Sequence, residues 1–213
     1  MYVPRHFAES DHAALVAFMR RHGFAMLYTA GREGPTASHL PLLVEEEAGD
    51  GEAGAVRISG HMARANDHWR AFDGESEALL VFWGPHAYIS PSWYANPNLV
   101  PTWNYATVHA YARPTVVEDE ARCLAVLEGM VAEYEGQISG GWTLDTLDGD
   151  LVRRMMKGIV FFEMTVERLE GKAKMSQNRT PGDVLGAIAG LENQGGDENL
   201  AVAAEMSRHL SGR

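Results

Sequence analysis

The chain has 213 residues, 46% of them apolar, and 18 Lys and Arg against 29 Asp and Glu leave a net charge of −11. That length suits one large domain with or without a helical appendage, and the acidic balance repels nucleic acid and anionic membrane, leaving only local basic pockets for anions. The lone Cys123 excludes an internal disulfide, and no apolar run suffices for a bilayer span or a signal peptide, so a cytoplasmic location is expected.

Within the opening MYVPRHF, Pro4 disfavours helix. Ser10 can cap a helix over residues 11–22 that sets Leu15, Phe18 and Met19 on one face, with Gly23 ending it. Residues 24–29 read as a strand, 30–35 as a hairpin turn and 36–44 as the returning strand. Pro41 lies inside that second strand and predicts an edge or a bulge, because proline removes a ladder donor. The unpaired backbone beside it makes Ser38, His39, Leu40 and Pro41 a candidate wall of a binding site. The acidic, Gly-rich residues 45–54 predict an exposed hairpin loop before a strand over 55–62. There Val56, Ile58, Gly60 and Met62 alternate with Arg57, Ser59 and His61, which puts His61 on the polar side. Asn66 can cap a short helix running to Phe72. Free N–H groups at a helix start, with Arg64 adjacent, suit a phosphate; an arginine in that position is also commonly just a solvated surface residue.

Residues 78–83 are apolar throughout, as in a strand covered on both faces. They lead into WGPHAYISPSWYANPNLVPTWNY at 83–105, where Pro85, Pro91, Pro97 and Pro101 predict a rigid irregular excursion. Its aromatic residues either cap a barrel end or subunit interface, or line a ligand site. Along 103–117, Trp103, Tyr105, Thr107, His109 and Tyr111 alternate with Asn104, Ala106, Val108, Ala110 and Ala112, giving one bulky strand face and one that allows close packing. The bulky face exceeds what one barrel interior needs, so a homodimer is expected. Cys123, Leu127, Met130, Val131 and Tyr134 then keep helical spacing, which makes Cys123 a core residue rather than a nucleophile.

A Gly-rich connection at 137–149 precedes a short helix capped by Asp150 and carrying Met155 and Met156, and 158–169 returns to strand with Val160, Phe162, Met164 and Val166 on one face. Residues 172–179, KAKMSQNR, gather Lys172, Lys174 and Arg179 with Ser176, Gln177 and Asn178, a composition that suits an anion or a solvated loop. Thr180 and Pro181 open a helix, interrupted at Gly190 or at the Gly195 and Gly196 pair. Asp197 starts a last one with Leu200, Ala203, Ala204 and Leu210 as its apolar stripe. Strands come as hairpins, without Rossmann alternation and without GxGxxG, P-loop, HExxH, CxxC or nucleophile-elbow motifs. A mainly β (α+β) antiparallel barrel over 1–179 with peripheral helices follows, with 180–213 as a helical segment packed on the barrel or on a dimer partner, and no metal site.

Six blocks, MYVPRHF at 1–7, SHLPLL at 38–43, GHMARANDHW at 60–69, GPHAYISPSWY at 84–94, VPTWNY at 100–105 and KMSQNR at 174–179, together resemble the PaiB family of FMN-binding negative transcriptional regulators across nearly the whole chain. The resemblance implies an FMN-binding split β-barrel, similar to the pyridoxamine phosphate oxidase group, and a homodimer with flavin at the subunit interface. By that similarity His39, Leu40 and Pro41 run along the flavin ring, while His61, Met62, Ala63, Arg64 and Asn66 form the strand-to-helix turn that takes the FMN phosphate. Trp103 and Asn104, with Lys174, Gln177 and Asn178, complete the pocket, Lys174 and Gln177 being its expected polar contacts. Asp67 departs from the proline expected in the third block, and sets an acid beside the phosphate position or helps the helix start.

Three functions fit this resemblance and the fold it implies: a flavin-binding regulator or sensor; an FMN-dependent oxidoreductase using a proton donor such as His86 or Tyr88; and a haem-binding or haem-degrading barrel with His39, His61 or His86 as axial ligand. The charge of −11 and the lack of a helix-turn-helix with a basic face argue against direct DNA binding, so any regulation is expected to be indirect.

Overall fold

Alternation of buried and exposed residues along extended segments sets the architecture, because a period of two places every second side chain on one sheet face. The computed structural model describes residues 1–31, 34–47, 54–138 and 140–212. The turn expected at 30–35 and the loop expected at 45–54 therefore lie partly outside the described residues, at 32–33 and 48–53. Among the described residues the strands are β1 (Ala8–Glu9), β2 (Phe24–Gly31), β3 (Gly34–Glu46), β4 (Val56–Ala63), β5 (Ala78–Ile89), β6 (Thr102–Ala112), β7 (Thr115–Val117) and β8 (Ile159–Lys174). The helices are α1 (His12–Arg21), α2 (Glu120–Glu135), α3 (Gly149–Met156), α4 (Pro181–Gln194) and α5 (Asp197–Ser211). The hydrogen-bonded order is β1-β8-β4-β3-β2-β5-β6, with β7 also on β8, and a further β8–β6 pairing returns the path on itself. This is the antiparallel split β-barrel that the sequence implies, and no described helix is long and apolar enough to cross a membrane.

The chain divides into two compact units. In the unit of residues 16–82 and 109–169, β4 runs between β3 and β8 in the registers Leu42↔Gly60 and Gly60↔Phe162. A Cβ on Gly60 would come within 2.9 Å of both the Leu42 and Phe162 side chains, so a larger residue there would push these two core side chains aside. Leu27, Leu42, Ile58, Leu80, Phe82 and Phe162 are fully buried inside, each worth about 1.5–3 kcal/mol relative to exposure. On the opposite sheet face α2 lays Cys123, Val126 and Met130 over Leu43 and Phe161, which confirms Cys123 as a core residue.

The other unit comprises residues 1–15, 83–108 and 170–213. Here β1 pairs with the end of β8 through Ala8↔Lys172 and Glu9↔Gly171. Helix α4 carries Gly186 and Gly190 against Trp93, where a Cβ at position 190 would stand 2.2 Å from the indole. Trp93 is thus a packing residue, and the break between α4 and α5 falls at Gly195 and Gly196, whose φ values are +68° and +88°.

Several boundaries differ from expectation for identifiable reasons. Asp11 rather than Ser10 caps α1, its carboxylate accepting the Ala14 N–H at 2.7 Å, and Asp148 rather than Asp150 caps α3 through the Leu151 N–H. Much of the expected excursion at 83–105 is strand. β5 continues through Pro85 to Ile89, since proline tolerates extended backbone and costs only a donor. Pro91 instead opens a single 3-10 turn, Pro91–Trp93. The expected strand at 103–117 is split at Pro114 into β6 and β7. β3 is a central strand, yet Pro41 sits one residue beyond its β4-paired stretch, where no β4 partner needs the missing N–H. Finally, β8 runs on to Lys174 and absorbs the first part of the cationic segment.

Candidate functional site

Two groups of expected site residues lie in the two units, and each has its own geometry. In the first, β2 and β3 pair with Phe24↔Pro41 and Met26↔His39. Residues alternate along β3, so Ser38, Leu40 and Leu42 face the interior while His39 is exposed and Pro41 half-buried on the outer face. Extending the Leu42↔Gly60 register by one step sets Pro41 beside His61 on β4. His39, Pro41 and His61 therefore share the outer surface, with the exposed Phe24 ring 6.3 Å from that of His39. Leu40 and Met62 point inward and are buried, so only their backbone is available from outside.

His61 lies 5.7 Å from the Phe161 ring. Its Nδ1 is buried and has no hydrogen-bond partner among the described residues. Burial lowers its pKa, which favours the neutral imidazole with one donor and one acceptor nitrogen.

On the inner side a closed network forms around His68. Its Nε2 lies 2.9 Å from Thr29 Oγ1 and its Nδ1 lies 2.8 Å from Ser38 Oγ. Asn66 Nδ2 donates to Ser38 Oγ at 3.1 Å, and Asn66 Oδ1 accepts the His68 N–H at 3.2 Å, capping the 3-10 helix Asp67–Ala71. With the serine hydroxyl donating to Nδ1 and Nε2–H donating to Thr29, every group is satisfied by a neutral ring, and burial lowers the His68 pKa in the same direction. Neither His68 nor Thr29 belongs to the residues expected from sequence. Thr29 falls two residues after the buried Leu27 on an inward position, and a polar residue there was the available signal.

Arg64 is exposed, and its Nε and Nη2 donate to the carbonyls of Lys157 and Ile159, both at 2.9 Å. Ala63 beside it is exposed. Asp67 ion-pairs with Arg70 at 2.8 Å, which offsets the acid expected to disturb this turn.

In the other unit the two pocket-completing blocks do meet. Lys174 Nζ donates to Thr102 Oγ1 and, at 2.6 Å, to the Trp103 carbonyl. Burial, then the nearby Lys172 and Arg179 charges, push the Lys174 pKa down. Asn104 is fully buried, and its Nδ2 donates to Ser176 Oγ at 3.0 Å and contacts Met206 Sδ at 3.3 Å. Gln177 braces its own turn by accepting the Met175 N–H and donating to the Ala173 carbonyl, while Asn178 is exposed. Around Lys174 the outer aromatics contact one another. Trp83 stacks on Tyr105 with centroids 6.1 Å apart, and Trp103 lies 6.0 Å from Tyr88. Trp83 Nε1 donates to His86 Nδ1 at 3.0 Å.

The chain matches the family described as "Putative FMN-binding domain" over residues 1–168. It is 34% identical to the protease synthase and sporulation protein PAI 2 of Bacillus subtilis, over 91% of this chain and 90% of that one. An uncharacterized protein of Emericella nidulans is 29% identical over 95% of both chains. Among solved structures, the flavocytochrome Anf3 of Azotobacter vinelandii superposes with a TM-score of 0.60 at 16% identity, covering 84% of this chain and 73% of that one, which is a likeness of fold.

Proposed function

The chain belongs to this FMN-binding domain family, as an FMN-binding split barrel of the PaiB type with FMN as its cofactor, and we propose that it serves as a flavin-dependent sensor whose effect on transcription is indirect. The observation that carries the flavin site is the outer face of β3 and β4. His39 is exposed there, Pro41 and His61 are half-buried, and His61 Nδ1 is a buried polar atom without a hydrogen-bond partner among the described residues. Such an atom costs about 1–3 kcal/mol until a ligand atom satisfies it. The residues fit FMN: the outer face would lie along the ring, the exposed Arg64 charge and the backbone of the turn at Asn66, whose side chain is committed to Ser38 and His68, would hold the phosphate, and Ala63 leaves room beside them. The 3-10 helix after Asn66 has only five residues, so Arg64 rather than a helix dipole supplies the attraction for phosphate. In the other unit, the family resemblance names Lys174, Gln177, Trp103 and Asn178 as flavin contacts, and the buried Asn104 fixes their turn through Ser176. When bound, the flavin supplies electron-accepting and electron-returning chemistry.

The regulatory reading rests on the resemblance to the PaiB family, and the Bacillus subtilis relative carries the name protease synthase and sporulation protein PAI 2. The charge of −11 supports an indirect route, since gripping DNA requires clustered cations. A homodimer is part of the proposal: Trp83, Tyr88 and Trp103 are each 45–53% exposed and touch one another or their neighbours' rings, an apolar surface of the kind that a second copy covers. An oxidoreductase reading draws its support from His86, whose Nδ1 accepts from Trp83 and so leaves Nε2 to carry the proton of the neutral ring.

Titrating the apo-protein with FMN and with riboflavin tests the site. FMN is expected to bind more tightly by the worth of the phosphate, and equal affinities would remove Arg64 and Asn66 from the proposal. The absorption spectrum of the purified protein separates a flavin from a haem in the same experiment.

A further inference from the structure

In the unit of residues 16–82 and 109–169 a cavity of about 690 Å³ opens between α3, the start of α2 and the paired strands β7 and β8. Its volume is in the range that holds a small organic ligand. The floor is apolar, made by Val117, Ile159, Phe161 and Met156, with the Cys123 thiol in the wall. Of the residues proposed to hold the flavin, His39, Pro41 and His61 do not line it, while the phosphate-side Arg64 stands at its edge. Arg153, Arg154 and Lys157 stand around it, in a chain whose overall charge is −11.

These charges are not equivalent. Arg153 is taken up by Asp150 at 2.6 Å. The Arg64 guanidinium, which also borders the cavity, is held by the carbonyls of Lys157 and Ile159. Among the described residues, the side chains of Arg154 and Lys157 have no ion-pair or hydrogen-bond partner, and both are exposed at the mouth. Glu118 and Glu120 line the cavity too, and they would repel a ligand carrying several negative charges. An apolar floor under two uncommitted cations, with acids alongside, selects one negative charge on an apolar body.

From this we infer that the cavity is a second binding site, separate from the flavin face, for an amphipathic organic monoanion such as an aryl or branched-alkyl carboxylate or sulfonate. The ligand lays its apolar part over Val117 and Phe161 and its anionic group between Arg154 and Lys157. Since α3 carries Arg153, Arg154 and Met156 of the lining, occupancy fixes that helix on the sheet.

The test is a fluorescence titration of the FMN-saturated protein with 8-anilinonaphthalene-1-sulfonate, a monoanion whose emission rises in apolar surroundings. One saturable site per chain is expected. The double variant Arg154→Gln, Lys157→Gln, which removes both cations without adding an acid beside Arg64, should weaken it at least tenfold, and Val117→Trp, which fills the floor, should abolish it, with FMN affinity unchanged in both. If Val117→Trp fails to fold, the double variant decides, because both of its positions are exposed. Unchanged probe binding in the double variant would assign the probe to the exposed aromatics and overturn the inference. Displacement of the probe by FMN, or loss of FMN affinity in the double variant, would show that the cavity is the flavin's own and would overturn it equally.

Discussion

Histidines of the same chemistry stand in opposite states on the two sides of the sheet, His61 on β4 outside and His68 of the 3-10 turn against β2 and β3 inside. Inside, His68 has both ring nitrogens engaged by Ser38 and Thr29, and Asn66 closes the network on the same serine. Outside, His61 is also pressed toward its neutral form by burial, yet its Nδ1 faces no partner among the described residues. A satisfied network stabilises a fold and offers a ligand nothing, whereas an unsatisfied one weakens the free protein and strengthens the complex. On the proposed reading, the inner face has a structural duty and the outer one a binding duty.

The largest effect that could break this comparison is on stability. His68→Ala takes the ring partner from two buried hydroxyls, leaving Ser38 only the Asn66 contact, and opens a void, so it should lower unfolding free energy by about 2–4 kcal/mol, or the melting temperature by roughly 5–15 °C. Thermal denaturation checks this, and a loss below about 1 kcal/mol would mean that water replaces the ring. Next, Arg64→Ala should cost on the order of 1.5–3 kcal/mol of FMN affinity and leave riboflavin affinity alone, because a charge-assisted contact to the phosphate is what it removes. Comparing the two titrations checks it. His61→Leu should weaken FMN by about 0.5–1.5 kcal/mol without lowering the melting temperature, since the apolar replacement removes an orphaned nitrogen from the free protein. A drop in stability with unchanged FMN binding would exchange the roles of the two faces.

The smallest effect is on pH dependence. Both histidines have folded-state pKa values lowered by burial, so the unfolded chain binds protons first as pH falls. Their contribution to stability is complete above the unfolded value of about 6.5 and is lost as pH falls through the lowered folded values, with a slope of at most about 1.4 kcal/mol per pH unit for each. Denaturant melts at successive pH values should show His61→Leu reducing this slope, and an unchanged slope would remove His61 from the titration.

Much of the barrel was legible in the sequence because period-two alternation reports burial directly, as Val56, Ile58, Gly60 and Met62 show on β4. Prolines misled at 85 because an extended strand loses only one donor to them, and β5 needs none from that position in its pairing with β2. The caps at Asp11 and Asp148 were displaced by one or two residues, since neighbouring Ser and Asp side chains are equally able and the strand ends decide between them. β1 has two residues and no pattern to read. In the candidate site, the positions of His39, Pro41 and His61 on one face follow from alternation, and the conjunction of Lys174 with Trp103 was expected from blocks far apart in the chain. The His68 network was not, because a polar triad drawn from β2, β3 and a 3-10 turn leaves no periodic trace.

The central claim is that flavin meets the outer face and leaves the inner one alone. It is tested most directly by nitrogen-15 spectroscopy of histidine-labelled protein during FMN addition. The His61 ring nitrogens should shift as Nδ1 gains a partner, with His68 unchanged and neutral throughout. Shifts at His68 with His61 unmoved would contradict the account.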